Sequence, residues 1–141
     1  MDKSILSSIN FCQYIVESIE FKINSDAVFG DEIDLDIKFN NNIQVDMESN
    51  NAIITIETIV FDKYIEKAYP FYLELTVSGF FSFSDMPEVD IRDMLEVNGT
   101  AILFPYIRMI VSNITTNSGV PALILPTLNI SKMIKKHTET K

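Results

Sequence analysis

Apolar and polar residues alternate along several stretches in the first half of this chain. The alternation covers residues 19–23, 33–39 and 43–47, and a period of two is that of a strand with one buried face. The three consecutive asparagines between the last two stretches, Asn40–Asn42, predict a turn or a bulge. Residues 19–23 are therefore predicted to be a half-buried first strand. Residues 33–39 are predicted to be a second strand with one face in water, whose alternation resumes at residues 43–47.

Two further strands are predicted from longer apolar segments. Residues 52–61 form a third strand whose apolar phase shifts near Glu57, which indicates a bulge or burial of both faces. Residues 71–83 form the longest strand, in which every second residue from Phe71 to Phe83 is apolar or glycine. Consecutive strands with short connections and no helix between them predict an antiparallel sheet.

Helical signals follow the last strand. The segment from Asp85 to Glu88 is typical of a helix start with Asp85 as the N-cap, and the short acidic helix is predicted to stop at Asn98-Gly99. A second helix is predicted to begin near Pro105, because proline is tolerated in the first turn, and to end at residues 117–119.

The chain after the second predicted helix consists of two short segments. Residues 120–129 form an apolar stretch bounded by prolines, and a short basic helix is predicted in the tail from Ile130 onward. Strands followed by helices predict an α+β fold. The length of 141 residues predicts a single domain over residues 1–141.

The charge of the chain argues against two classes of partner. Twenty acidic residues against 11 basic ones give a formal net charge of -9, which disfavours binding to nucleic-acid backbones and to anionic membranes. The first residues lack the apolar run of a secretory signal, and the most apolar segment, residues 101–111, is too short to span a membrane. We expect a cytoplasmic protein.

Residues suited to catalysis or metal binding are few. The single histidine, His137, lies in a polar tail, and the single cysteine, Cys12, has no identifiable activating partner. The acidic cluster between Asp85 and Glu96 is interpreted as a solvent-exposed helix surface, whose acidic side chains interact favourably with the helix dipole. We therefore expect no enzymatic activity, no cofactor and no metal.

Apolar side chains exceed what one small core needs. The chain has ten Phe, five Tyr and six Met. Phe80 and Phe81 are adjacent in a predicted strand, so their side chains point to opposite faces. One of the two needs cover from a partner subunit or a ligand, which favours an oligomer interface or an apolar groove.

Three sequence blocks resemble the SecB family of protein-export chaperones. They are GFFSFSDM at 79–86, ILFPYIRMIVSNIT at 102–115 and PALILPTLNI at 121–130, and the ILFPY portion is the most specific of them. YIVESIEFKIN at 14–24 is also similar to the first strand of the family. The resemblance covers most of the chain and is strongest over residues 71–130.

The resemblance implies a fold and a function together. The fold is a four-stranded antiparallel sheet with a crossover loop after the first strand and helices packed on one face, and four subunits assemble as a dimer of dimers. The function is that of an ATP-independent holdase without enzymatic activity, which binds unfolded, export-bound polypeptides in apolar grooves and passes them to the ATPase SecA. Aromatic and methionine side chains suit a groove that accepts many sequences.

The resemblance also assigns residues to these roles. The client groove is expected to contain or adjoin five apolar residues, namely Phe80, Leu123, Leu125, Leu128 and Ile130. The helix layer and the subunit contacts are expected to involve Phe104, Tyr106 and Ile110.

Contact with SecA is the part of the family pattern from which this chain departs. In the family, an acidic patch on the sheet contacts the basic tail of SecA, and Tyr72 and Glu74 match one part of that patch. Ser18 and Lys22 stand where acidic residues are expected. The departure favours an alternative in which the fold serves one dedicated client, such as an antitoxin or a phage protein. A small-molecule-binding or hydrolytic α+β protein is a third hypothesis, supported only by the acidic cluster.

Overall fold

The computed structural model of the protein describes residues 8–27 and 33–126. These residues form four strands and one continuous helical segment. The strands are β1 (Ile9–Ile23), β2 (Ile37–Asp46), β3 (Asn51–Val60) and β4 (Phe71–Phe83), and the helical segment consists of α1 (Glu88–Met94), a π-helical turn (Leu95–Gly99) and α2 (Thr100–Asn117).

The four strands form one antiparallel sheet in the order β1-β4-β3-β2. Because β1 and β2 are consecutive in the chain but lie at opposite edges, the connection between them crosses the sheet. This topology confirms both the antiparallel sheet and the crossover loop. It also leaves β1 and β2 as the two edge strands.

The helical segment packs on one face of the sheet, here called the inner face. Leu73, Leu75 and Val77 of β4 are fully buried on this face, as their strict alternation predicts. The helix comes close because two glycines lie at the contact: a Cβ atom on Gly79 would lie 2.5 Å from Leu103, and one on Gly99 would lie 2.5 Å from Ile54. The opposite, outer face carries no helix in the described residues.

The predicted break between two helices is wrong. The chain continues as a π-helical turn through Asn98 and Gly99, with Gly99 in the right-handed helical conformation and buried. Pro105 lies inside α2 instead of at its start. Packing of Gly99 against the sheet outweighs its low helix propensity, and the hydroxyl of Thr100 donates a hydrogen bond of 2.6 Å to the carbonyl of Glu96 in the irregular turn.

The predicted N-cap is also wrong. The cap position is occupied by Pro87, which makes no side-chain cap hydrogen bond. Asp85 lies before the helix, and its carboxylate accepts a hydrogen bond of 2.8 Å from the side-chain amide of Asn50. The predicted end of the helix is confirmed, since α2 ends at Asn117 and is followed by Gly119 with a φ of +83°, the conformation that glycine adopts most readily.

Two strand predictions need correction. The Asn40–Asn42 run is neither a turn nor a bulge, because these residues pair regularly with Glu57, Ile56 and Thr55 inside β2, whereas residues 33–36 lie outside the strand. β3 has no bulge in its pairing with β2 and β4; the alternative, partial burial of both faces, is what the structure has. The irregularities fall instead in β1, between Phe11 and Gln13 and between Val16 and Ser18.

The helical segment from Glu88 to Asn117 is long enough and apolar enough to cross a membrane by length and composition. Its most apolar stripe, with Leu103, Ile107 and Val111, is fully buried against the sheet. A single helix of this kind is weak evidence for a membrane span, because core helices that pack on a sheet meet the same criteria. The predicted basic helix of the tail lies outside the described residues.

Candidate functional site

Aromatic contacts attach the two flanks of α2 to the two halves of the sheet. The ring of Tyr106 lies 4.6 Å from that of Tyr14 and 5.5 Å from that of Phe11, both on β1. The ring of Phe104 lies 6.0 Å from that of Phe39 on β2, in an edge-on geometry. Phe104 and Tyr106 therefore belong to the helix layer within one subunit, and their role in subunit contacts stays a prediction.

The inner face of β1 carries the first uncovered apolar surface, here called the β1 surface and made of Val16, Ile19 and Ile23. These side chains are 40%, 49% and 45% exposed. The pairing places Ile19 beside Leu75 and Ile23 beside Phe71, so the three residues extend the inner face past the helix. Their exposure beside a free strand edge is typical of an interaction surface.

The outward side of the helical segment carries the second uncovered surface, here called the helix row. Val97, Ala101, Pro105 and Met109 follow one another at intervals of four and are all exposed. Residues at this spacing lie on one side of a helix, and none of the four is charged. A water-facing helix side normally carries charged and polar residues, so the row favours cover by another polypeptide.

Residues 121–126 form a third feature, here called the strap, which folds back along α2. The backbone N–H of Leu123 donates to the Thr115 hydroxyl at 2.8 Å. The Arg108 guanidinium donates through Nε to the carbonyl of Leu125, also at 2.8 Å. The strap thus runs antiparallel to the helix and is held through its backbone.

The structure does not bring the predicted groove residues together. Leu125 is fully buried and belongs to the hydrophobic core, and the half-buried Leu123 packs against that core. Phe80 pairs with Gln13 and Ile53 on the outer face, because it alternates with the buried Phe81. A single groove within one chain therefore does not contain Phe80 and the strap leucines. Leu128 and Ile130 lie outside the described residues.

The predicted SecA-contact residues lie side by side on the outer face. The Tyr72 hydroxyl donates to Glu74 Oε2 at 2.9 Å. Burial, followed by this hydrogen bond and the nearby carboxylate charge, raises the pKa of Tyr72 far above its ordinary value. Tyr72 therefore stays protonated and remains a hydrogen-bond donor over the physiological pH range.

A first-strand acid, Glu20, does accompany this pair, and it lies two residues from each of the positions that the family pattern suggests, Ser18 and Lys22. Glu20 lies directly across from Glu74 in the sheet. Its carboxylate is 2.9 Å from Lys22 Nζ, and the hydrogen bond and charge of Glu20 raise the pKa of Lys22. The outer face therefore presents two neighbouring carboxylates, one of which is paired with a lysine of the same strand.

A shallow pocket of about 320 Å³ adjoins these residues. It is lined by Glu20, Lys22, Asp62, Lys63, Tyr64 and Tyr72. The Tyr64 ring lies 5.8 Å from that of Tyr72. The loop residues of this pocket were not identified from the sequence. Phe61 and Lys63 adopt positive φ angles, and no glycine or asparagine in the loop signals that conformation.

The acidic cluster carries no metal site in the described part of the chain. No group of three or more His, Cys, Asp or Glu side chains there could hold a metal ion. Glu88 is paired instead with Arg92, one helical turn later, at 3.0 Å. Cys12 is exposed, and its thiol contacts the carbonyl of Asn10 at 3.8 Å. His137 lies outside the described residues.

The comparison with protein families identifies the class of protein. The family described as preprotein translocase subunit SecB matches residues 7–141. Because the match spans nearly the entire chain, this protein belongs to the SecB family. Its role is accordingly that of a chaperone.

Curated relatives agree with this assignment. An uncharacterised protein of Methanocaldococcus jannaschii is 34% identical over 135 residues, 95% of this chain and 87% of that protein. The protein-export protein SecB of Anaplasma phagocytophilum is 31% identical over 86 residues, 59% of this chain and 51% of that protein. The protein of the same name from Neisseria gonorrhoeae is 35% identical over 71 residues, 50% of this chain and 48% of that protein. The match thus spans about half the length of these two SecB proteins.

A solved structure shares the fold. It is a SecB-like chaperone of Mycobacterium tuberculosis in complex with a peptide from an antitoxin. The two chains superpose with a TM-score of 0.74 at 14% identity, over 89% of this chain and 94% of that one. This likeness confirms the SecB-like fold class.

Proposed function

We propose that this SecB-family chaperone is an ATP-independent holdase of the cytoplasm. It binds unfolded preproteins in apolar grooves and keeps them competent for export through the Sec translocase. The observation that carries the proposal is the family match over residues 7–141. The uncovered apolar surfaces support it, since a chaperone for many sequences needs apolar contact area that its own core does not use.

The proposed assembly is a homotetramer, a dimer of dimers. Two separate apolar surfaces support two kinds of contact: the β1 surface, beside a free strand edge, and the helix row. A second copy of the chain could cover each of them. Such self-complementary contacts are typical of homo-oligomers.

The outer face is the proposed site of contact with SecA. Tyr72 and Glu74 form its centre, and Glu20 adds a second carboxylate. A basic segment would gain from two carboxylates side by side. Lys22 reduces the negative charge of the patch by pairing with Glu20, so we expect weaker attraction for a basic segment than an all-acidic patch would give.

The test of the holdase function is light scattering from an unrelated, chemically unfolded protein diluted into buffer without ATP. We expect this chain to suppress aggregation at about one tetramer per client, as hydrophobic capture in a groove requires no nucleotide. A folded acidic protein at equal concentration is the control for nonspecific effects. Absence of suppression by folded, tetrameric protein would contradict a general holdase.

A second candidate is a chaperone dedicated to one client. The specific observation that favours it is the antitoxin peptide bound to the SecB-like chaperone that shares this fold. The same assay distinguishes the two functions when it is repeated over a panel of unrelated clients. Suppression for most of the panel supports the general holdase, and suppression for one client alone supports the dedicated chaperone.

A further inference from the structure

The hydrogen bonds that hold the strap on α2 do not depend on the side chains of the strap. Two hydrogen bonds hold it, and in both the strap contributes only backbone: the N–H of Leu123 and the carbonyl of Leu125. The helix contributes the side chains of Thr115 and Arg108. Any extended polypeptide has the same N–H and carbonyl groups to offer.

The side chains of the strap alternate between buried and exposed. Leu125 is fully buried and Leu123 is half-buried, whereas Ile124 between them is 70% exposed. An extended chain that lies on an apolar surface buries every second residue. The strap therefore docks as an extended peptide docks, although it carries no strand structure itself.

The binding surface lies on the flank of α2 that faces β2. Phe104, Arg108, Val111 and Thr115 fall on one side of the helix by their spacing, and Phe104 contacts Phe39 of β2. Thr115 is fully buried, and its hydroxyl also donates to the carbonyl of Val111 at 3.0 Å. That bond fixes the hydroxyl oxygen as the acceptor for the incoming N–H.

We propose that this flank of α2 is a binding site for extended polypeptide, which the strap occupies as an internal ligand. An unfolded client displaces the strap, places an apolar side chain where Leu125 lies, and takes over the backbone contacts of Arg108 and Thr115. The inference rests on the proposed holdase function and deepens it. The strap then sets client affinity, because the apparent dissociation constant rises as the fraction of open sites falls.

The first test compares Leu125→Ala with Ile124→Ala, its matched control in the same strap. The probe is a fluorescein-labelled peptide in which leucine alternates with serine, and binding is followed by fluorescence anisotropy. Leu125→Ala removes the buried anchor of the competing strap, so we expect the probe to bind on the order of tenfold more tightly. Ile124→Ala changes an exposed side chain and should leave the affinity as in the unaltered chain. Equal or weaker binding by folded Leu125→Ala protein overturns the inference.

The second test uses the unaltered chain, so that it does not depend on the stability of a variant. Hydrogen exchange of the amides of residues 122–125 is measured with and without the probe peptide. We expect faster exchange when the probe is bound, because the strap has left the helix; unchanged or slower exchange overturns the inference. Failure of the unaltered chain both to bind the probe and to suppress aggregation would instead contradict the proposed function.

Discussion

Gly79 allows the direct contact between sheet and helix. A Cβ atom there would lie 2.5, 2.8 and 2.9 Å from three side-chain atoms of Leu103, which is itself fully buried. Those atoms include the branching carbon of Leu103, so the contact cannot be relieved by moving a flexible tip. The close approach of α2 thus depends on one missing methyl group.

We predict that Gly79→Ala lowers the stability of the protein. Overpacking of a core lowers the free energy of unfolding by about 1–3 kcal/mol. Replacing glycine by alanine also reduces the conformational entropy of the unfolded chain, which raises the free energy of unfolding by about 0.4–1 kcal/mol. Gly79 does not have a positive φ, so the backbone itself accepts alanine. The expected net loss in the free energy of unfolding is about 1–2 kcal/mol, measured by urea denaturation. Ser82→Ala, on the outer face of the same strand, is the control, and an equal effect of both variants would contradict the prediction.

The helical segment is the element whose form depends most on its surroundings. Local signals predict a stop at Asn98-Gly99 and a new start at Pro105, and both predictions are sound as propensities. The structure has one segment because Gly99 lies against Ile54, and burial of the stripe around Leu103 and Ile107 stabilises the helix on both sides. The π-helical turn and the internal proline are therefore accommodated by packing.

At this scale we predict that Pro105→Ala stabilises the protein. Proline inside a helix lacks the N–H that would donate to the carbonyl of Ala101, and its ring crowds that turn. Alanine restores the bond, so the free energy of unfolding should rise by about 2 kcal/mol after allowance for the greater entropy of the unfolded chain. Met109→Ala, one turn further along the same row, controls for loss of exposed apolar surface. A lower denaturation midpoint for Pro105→Ala would mean that packing requires the geometry that proline imposes.

The whole molecule has more uncovered apolar surface than one subunit can hide. We predict that Ile19→Lys, on the β1 surface, lowers the mass of the assembly in size-exclusion chromatography with light scattering, because a charge would be buried without a partner at a subunit contact. The matched control is Ile65→Lys, an isoleucine that is 59% exposed in the β3–β4 connection. It should leave the mass unchanged. Equal masses for both variants and the unaltered chain would contradict a subunit contact at the β1 surface.

The strands were predictable where the alternation of apolar and polar residues along the chain is uninterrupted. β3 and β4 follow directly from alternation, since each has a buried face that repeats every second residue. The start of β1 at Ile9 was missed, because its two bulges interrupt the alternation before Ile19. The candidate site was predictable only in part. Tyr72 and Glu74 do meet, whereas Tyr64 lines the neighbouring pocket from a loop whose positive φ angles no glycine or asparagine signals.

The sequence by itself determined the α+β order, the faces of β3 and β4, and membership of the SecB family, because alternation and the ILFPY block are carried by residues close together in the chain. Only the tertiary structure decided that the helix is continuous and that Phe80 and Leu125 lie in different surroundings. It alone decided that the strap rests on Arg108 and Thr115. These outcomes depend on contacts between residues distant in sequence, whose burial free energy exceeds the local preferences of glycine and proline.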